Sequence, residues 1–242
     1  QRGSASMARR ELEDLRAAAR LLWTEGICTR PVSIWLPDKS LPRERWLTRS
    51  EAARLIWAAW RYREIQKGTE TDRRSRRHVA RFILVALYTG TRSSAVCGAA
   101  LTAAVGRGFV DLENGVFHRR ARGVRETKKR QPSIRIPDRL LAHLRRWARM
   151  GIANASVVEF NGKPVKSIRK AFGRAAADAG LTGVTPHVLR HTAASWAMQA
   201  EADPYATADF LGMTMETLQR TYGHLHPASH KGVADAITGR RR

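Results

Sequence analysis

The chain has 242 residues, of which 43% are hydrophobic and seven are Trp, so it can build a real core, which argues against global disorder. Its 44 Lys and Arg outnumber 21 Asp and Glu, giving a formal net charge of +23, which argues against an ordinary enzyme of small molecules. Such an excess points to a polyanion: nucleic acid is the default partner and an anionic membrane surface the competitor.

The membrane reading is the weaker one. No basic amphipathic segment with an aromatic face stands out, and no apolar run reaches the ~18 residues needed to cross a bilayer. Two cysteines, Cys28 and Cys97, are too few and too far apart for a disulfide framework or a zinc site. Cys97 lies in an apolar stretch and reads as a small buried residue. No signal peptide is visible, and the cysteine usage fits a reducing cytosol. The chain opens on Gln1 instead of Met, which points to a fragment or a processed product.

In chain order, residues 9–23 predict a helix, with Leu12, Leu15, Ala18 or Ala19 and Leu22 at helical spacing. Three prolines, Pro31, Pro37 and Pro42, mark a linker over 30–46. A second domain is expected to start at Thr48, where Thr48 and Glu51 form a capping box ahead of the apolar face Ala52, Leu55, Ile56 and Ala59. Residues 61–81 carry eight Lys or Arg against three acids, expected to meet DNA, the alternative being a solvated face. An apolar helix follows over Val79 to Tyr88, with Gly90 as its stop.

Asn114-Gly115 between Phe109–Leu112 and Val116–His118 predicts a β-hairpin, and Ser133–Ile136 a third strand of a small antiparallel sheet. The connection between them, residues 119–130, holds seven Lys or Arg and one acid. From Pro137 the chain reads as helical. Leu140, Leu141, Leu144 and Trp147 share a face, Gly151 is a stop, Asn161-Gly162 a turn and 165–178 a helix. Thr185 and Pro186 open a helix carrying His187 and Arg190, three apart and so on one face. Two short helices follow over 204–211 and 214–223, capped by Asp203 and Thr214, with Tyr222 near the end of the second. The tail, 232–242, reads as a short helix ending in three arginines. The fold class is therefore mainly α with a small antiparallel β-sheet, α+β.

An arginine, a lysine, a histidine, a second arginine and a tyrosine, in this order, form a set able to cut and rejoin a DNA phosphodiester without a metal. A phosphodiester gaining negative charge needs fixed cations, and Arg offers a planar fork of donors. A tyrosine hydroxyl, with a free pKa of about 10, needs nearby positive charge or a base. The leaving sugar oxygen needs a proton, which a Lys can give when cationic neighbours lower its pKa.

The residues in their contexts carry a resemblance. Leu-Tyr-Thr-Gly-Thr-Arg at 87–92, His-Val-Leu-Arg-His-Thr at 187–192, Leu211-Gly212 and Tyr222-Gly223-His224 resemble the motifs of the tyrosine recombinases, the phage-integrase family that includes the Xer and Cre recombinases. The likeness covers roughly 46–230, the family's catalytic domain. It implies a division into 1–45, the last helix of a truncated core-binding domain plus linker, and 46–242, the catalytic domain with a C-terminal tail.

By the same resemblance, Arg92 would hold the scissile phosphate and stabilise the pentavalent transition state, and Arg190 would clamp the other non-bridging oxygen. His187 would exchange a proton with the tyrosine hydroxyl or donate to phosphate. Tyr222 would be the nucleophile, forming a 3′-phosphotyrosyl link that keeps the energy of the broken bond. No metal, no ATP and no other cofactor is implied. The family's lysine falls at Lys128 or Lys129; both fit, and Lys128 is favoured by its context after Thr127. The other would contact the DNA backbone.

Two positions depart from the pattern. Met213 stands where the family usually has His or Trp, nine residues before the tyrosine, and Met cannot donate to phosphate. His224 and His226 are candidates to supply the lost donor, against a simple surface role. Ala95 stands where an acid usually buttresses the turn of the first arginine. The leading expectation is a DNA-cleaving and rejoining integrase of a mobile element, acting on double-stranded DNA as a homotetramer, with 227–242 a candidate to bridge subunits. The alternatives are a type IB topoisomerase and a decayed integrase that only binds DNA.

Overall fold

The computed structural model describes residues 5–38, 45–125, 129–226 and 237. Its chain divides into two compact units, Gln1–Arg43 and Glu44–Arg242. In the first, helix α1 (Ala5–Thr24) has no buried residue, and Leu15, Leu21 and Trp23 are exposed. Arg9 pairs with Glu13 one turn on at 2.9 Å and also donates to the Pro37 carbonyl. The Thr24 hydroxyl turns back onto the Arg20 carbonyl at 2.7 Å, and Gly26 at φ +73° closes the helix end.

The second unit is mainly α with short antiparallel sheets, the class the sequence predicts. Helix α2 (Arg49–Arg61) opens on the expected capping box. The Thr48 hydroxyl accepts from the Glu51 amide at 3.2 Å, and the Glu51 carboxylate accepts from the Thr48 amide at 2.9 Å. Hairpin β1 (Ile65–Gln66) to β2 (Thr69–Glu70) follows. Helix α3 (Arg77–Thr89) then runs through the core with Val79, Phe82, Ile83, Val85 and Ala86 buried, packed against α2 on one side. Gly90 ends it in the left-handed region, φ +59°, and a Cβ there would strike the Leu211 side chain.

A short helix, α4 (Ser93–Gly98), leads into the three-stranded sheet of β3 (Phe109–Asp111), β4 (Val116–His118) and β5 (Ile134–Arg135). The strands pair antiparallel in the order β3-β4-β5, with Phe109 opposite His118 and Val116 opposite Arg135. Asn114-Gly115 makes the turn as expected: Asp111 accepts from the Asn114 amide at 2.9 Å and Gly115 sits at φ +67°. Helix α5 (Asp138–Arg149) buries Leu140, Leu144 and Trp147 against the core. Hairpin β6 (Glu159–Phe160) to β7 (Lys163–Pro164) precedes α6 (Arg169–Asp178), α7 (Pro186–Gln199), α8 (Pro204–Leu211) and α9 (Met215–Tyr222).

Differences from the sequence reading are local. Residues 61–81 contain a hairpin, turned by Lys67-Gly68 at φ +50° and +82°, and Asn161-Gly162 at φ +51° and +71° turns a second one. Their two-residue strands are mostly exposed, so no apolar alternation announces them. Of the eight cations in the basic run, Arg61, Arg63, Lys67 and Arg73 are exposed and Arg81 alone is buried. Arg63 pairs with Asp72 at 3.1 Å, Arg76 pairs with Asp178 and lies over Tyr62, and buried Arg81 donates to the Glu159 carbonyl at 3.0 Å. Thr185 has the extended backbone of a cap, but its side chain makes no cap hydrogen bond. The tail expected to be helical over 232–242 lies outside the described residues, except residue 237.

Candidate active site

Four segments meet at one end of α7: the turn after α3, the β4–β5 connection, the α8–α9 corner and α7 itself. The start of the second unit braces α7. Leu47 donates its amide to the Thr192 hydroxyl at 2.9 Å, Trp196 donates to the Leu47 carbonyl at 3.0 Å, and Arg49 lies 3.6 Å over the Trp196 ring. On α7, His187, Arg190 and His191 follow the i, i+3, i+4 pattern and share a face.

Arg92 is the N-cap residue of α4, with extended backbone and no side-chain cap hydrogen bond. Its guanidinium donates to the Arg130 carbonyl at 2.8 Å and to the Gly212 carbonyl at 3.5 Å. Arg190, buried on α7, donates to the Gly90 carbonyl at 2.9 Å and to the same Gly212 carbonyl at 3.5 Å. The two arginines predicted from sequence thus converge, although 98 positions separate them in the chain.

Gly212 allows this convergence. It sits at φ +63°, and a Cβ on it would lie 2.8 Å from the Arg130 carbonyl oxygen, so only glycine lets the α8 end press against the β4–β5 connection. Thr214 then caps α9, accepting from the Thr217 amide at 3.2 Å. Tyr222 is the last residue of α9 and is 5% exposed, held in a small core with Ala194, Met198, Ala208, Leu211 and Leu218. Met213 packs against this same core.

A third guanidinium lies beneath the pair. Arg119, at the end of β4, is 4% exposed and donates to the Thr89 carbonyl at 2.5 Å and the Phe210 carbonyl at 2.6 Å. Among the described residues, every hydrogen bond of Arg92, Arg119 and Arg190 goes to a backbone carbonyl, and no carboxylate balances them. Burial pushes the Arg190 guanidinium down to about 10, with Arg92 adding repulsion. Burial, then Arg190 and Arg92, push Arg119 down to about 9. Three cations crowded without a counter-ion form a site that gains most from an anion.

The Tyr222 hydroxyl makes a 2.6 Å hydrogen bond with Nδ1 of His191. The His191 ring also meets the His187 ring edge-on, with centroids 4.7 Å apart. Burial pushes the phenol up to about 12, against the pull of Arg190. Burial, then His187 and Arg190, push His191 down to about 4. His187 is lowered by burial and by Arg190 and Arg92. Both shifts favour the neutral imidazole.

Of the two candidate lysines, Lys128 lies outside the described residues. Lys129 is exposed and lines a cleft of about 350 Å³ with Arg107, Arg119, Arg120 and Arg125, bordered by Ser94 and Ala95 of α4. This cleft carries five cationic side chains. His224 is exposed and His226 half-buried, beyond the end of α9. No three His, Cys, Asp or Glu side chains gather as a metal site among the described residues, and no described helix is long and apolar enough to cross a membrane.

Two residues at this site escape the sequence reading. Arg119 is one of seven cations between 119 and 130, with nothing local to mark it as the one turned inward. His191 stands inside the 187–192 motif, and its i+4 spacing from His187 was the available signal.

Among curated proteins none matches this chain. Solved structures do. The XerA recombinase is 22% identical, with 94% of this chain and 74% of that one covered and a TM-score of 0.55. The Tn1549 transposon integrase in complex with circular intermediate DNA is 17% identical, with 97% and 86% covered and a TM-score of 0.65. A lambda integrase dimer bound to a COC′ core site is 20% identical, with 88% and 73% covered and a TM-score of 0.60. At these identities the likeness is one of fold, that of the tyrosine recombinases. The sequence model of the phage integrase family matches residues 45–229, which span Arg92, His187, Arg190 and Tyr222, and the chain belongs to the phage integrase family.

Proposed function

We propose that this chain is a site-specific DNA recombinase that cleaves and rejoins double-stranded DNA through a 3′-phosphotyrosyl link to Tyr222, in the integration or excision of a mobile element. The observation that carries the reading is the meeting of Arg92 and Arg190 at the Gly212 carbonyl, on the α8–α9 corner that leads to Tyr222. A phosphodiester entering there would replace carbonyl partners with its non-bridging oxygens, giving each guanidinium a charged acceptor. The same donors would hold the pentavalent transition state more tightly than the ground state, because it carries more charge.

His187 would donate to phosphate, and Lys128 or Lys129 would protonate the leaving 5′ oxygen. Bond energy stays in the phosphotyrosyl link, so rejoining needs neither ATP nor metal. The net charge of +23 and the cationic cleft beside Ser94 support duplex DNA as the partner. Residues 1–45 fit the last helix and linker of a core-binding domain, and a homotetramer bridged by 227–242 fits a reaction that exchanges strands between two sites. The expected place of action is the bacterial cytoplasm, on DNA.

The test is covalent trapping on a nicked suicide duplex drawn from the ends of the element that encodes the chain. A denaturation-resistant adduct that vanishes in Tyr222→Phe supports the reading; no adduct from wild type, despite salt-sensitive binding, sinks it. One observation favours a second reading, a decayed integrase that only binds DNA: Met213 packs into the Tyr222 core where a phosphate donor usually stands. Under that reading wild type forms no adduct, and Met213→His restores one.

A further inference from the structure

Tyr222 needs a proton acceptor, and its hydroxyl already has one partner. That partner is His191, at 2.6 Å through Nδ1. An acceptor in contact with the phenol hydrogen has the geometry that general-base transfer requires. His191 lies on the face of α7 that also carries Arg190, so phosphate clamp and acceptor are fixed by the same rigid helix. We propose that His191, and not His187, takes the proton from the Tyr222 hydroxyl during strand cleavage and returns it during rejoining. This rests on the reading of Tyr222 as nucleophile.

The neighbours divide the work. His187 meets the His191 ring edge-on, with centroids 4.7 Å apart, and the Arg190 guanidinium is the cation acting on it. Burial with these two neighbours favours the neutral His191 imidazole, and in the tautomer protonated on Nε2 its Nδ1 accepts from the phenol. The same surroundings make it a weak base. The phosphorane brings two negative charges to the same arginines, so the imidazolium becomes affordable as the bond to phosphorus forms.

In the step, the Tyr222 Oη–P bond forms and the P–O5′ bond breaks. The phenol proton moves to His191 Nδ1, and the bonding pair stays on O5′, which takes a proton from a lysine ammonium of the β4–β5 connection. In rejoining, the incoming 5′ hydroxyl attacks phosphorus and gives its proton to that lysine. The His191 imidazolium then protonates the departing Tyr222 oxygen. Atoms and charges balance in both directions.

The test compares wild type, His191→Ala, His191→Asn and His187→Ala on two nicked suicide duplexes of the same sequence. One carries the natural oxygen and the other a 5′-bridging sulfur, which departs without a proton. The expected result is an adduct from wild type and slowing of about 10²–10⁴-fold in both His191 variants, unrelieved by sulfur. Asn can accept the phenol hydrogen bond but cannot take the proton, so His191→Asn separates a base from an orienting contact. Wild-type speed in His191→Asn, or rescue of His191→Ala by sulfur, overturns the proposal while leaving Tyr222 as nucleophile. No adduct from wild type on either duplex overturns both. Nitrogen NMR of the full chain gives a reading independent of variant folding. An unprotonated Nδ1 on His191 whose resonance moves in Tyr222→Phe is expected; a protonated Nδ1 overturns the assignment.

Discussion

Arg119 donates to the carbonyl of Phe210, 91 positions away, at 2.6 Å. Its other arm reaches the Thr89 carbonyl at 2.5 Å, so one side chain ties the turn before Arg92 to the helix before Gly212. The two proposed phosphate-binding elements therefore share a buried brace. Arg119→Met removes both donors and leaves two carbonyls without them. The expected cost is about 1–3 kcal/mol of stability, with a larger proportional loss of duplex cleavage. Thermal unfolding and adduct formation check it together; a variant equal to wild type in both would sink the role.

Gly212→Ala tests the corner itself. The left-handed backbone and the 2.8 Å approach of the Arg130 carbonyl oppose a Cβ there. Alanine at a positive φ is expected to cost more than ~1 kcal/mol. It should also push the β4–β5 connection away from Arg92, lowering phosphate affinity. Denaturant unfolding gives the first quantity and DNA binding at fixed salt the second. A neutral outcome in both would show that the corner tolerates another path.

The capping box at Thr48 sets a pH dependence. The Arg45 guanidinium, donating at 2.6 Å, and the Thr48 amide hold the Glu51 carboxyl down to about 2. A folded-state pKa below the unfolded value means that the ionised form stabilises the fold. The contribution is full above about pH 4.5 and is lost as pH falls towards about 2. Glu51→Ala is expected to cost about 1 kcal/mol at pH 7, and the gap to wild type should close on acidification. A gap constant from pH 7 to pH 2 would contradict the assignment.

Duplex binding should weaken steeply with salt. If ~6–10 phosphates are neutralised, affinity is expected to drop about 10³–10⁵-fold between 50 and 200 mM salt. Fluorescence anisotropy across that range measures it. Arg76 and Arg81 are already committed within the protein, so replacing them should change stability more than the salt slope. A slope near zero would remove nucleic acid as the partner.

What the sequence determined by itself was whatever reaches no further than a few residues. Thr48 with Glu51, Asn114-Gly115 and Gly90 announce their elements because caps and turns are made by neighbours in the chain, and the structure has all three. Arg92, His187, Arg190 and Tyr222 were picked out from the sequence because each sits in a short recognisable context. Only the tertiary structure decided which of seven similar cations between 119 and 130 turns inward, since the carbonyls that receive Arg119 come from Thr89 and Phe210. It also decided that the Tyr222 hydroxyl meets His191, because helix spacing gives a face but not the partner brought against it by α9. The basic run at 61–81 shows the same division: its charge is written in the sequence, while its pairing with Asp178 and Glu159 depends on how distant segments pack.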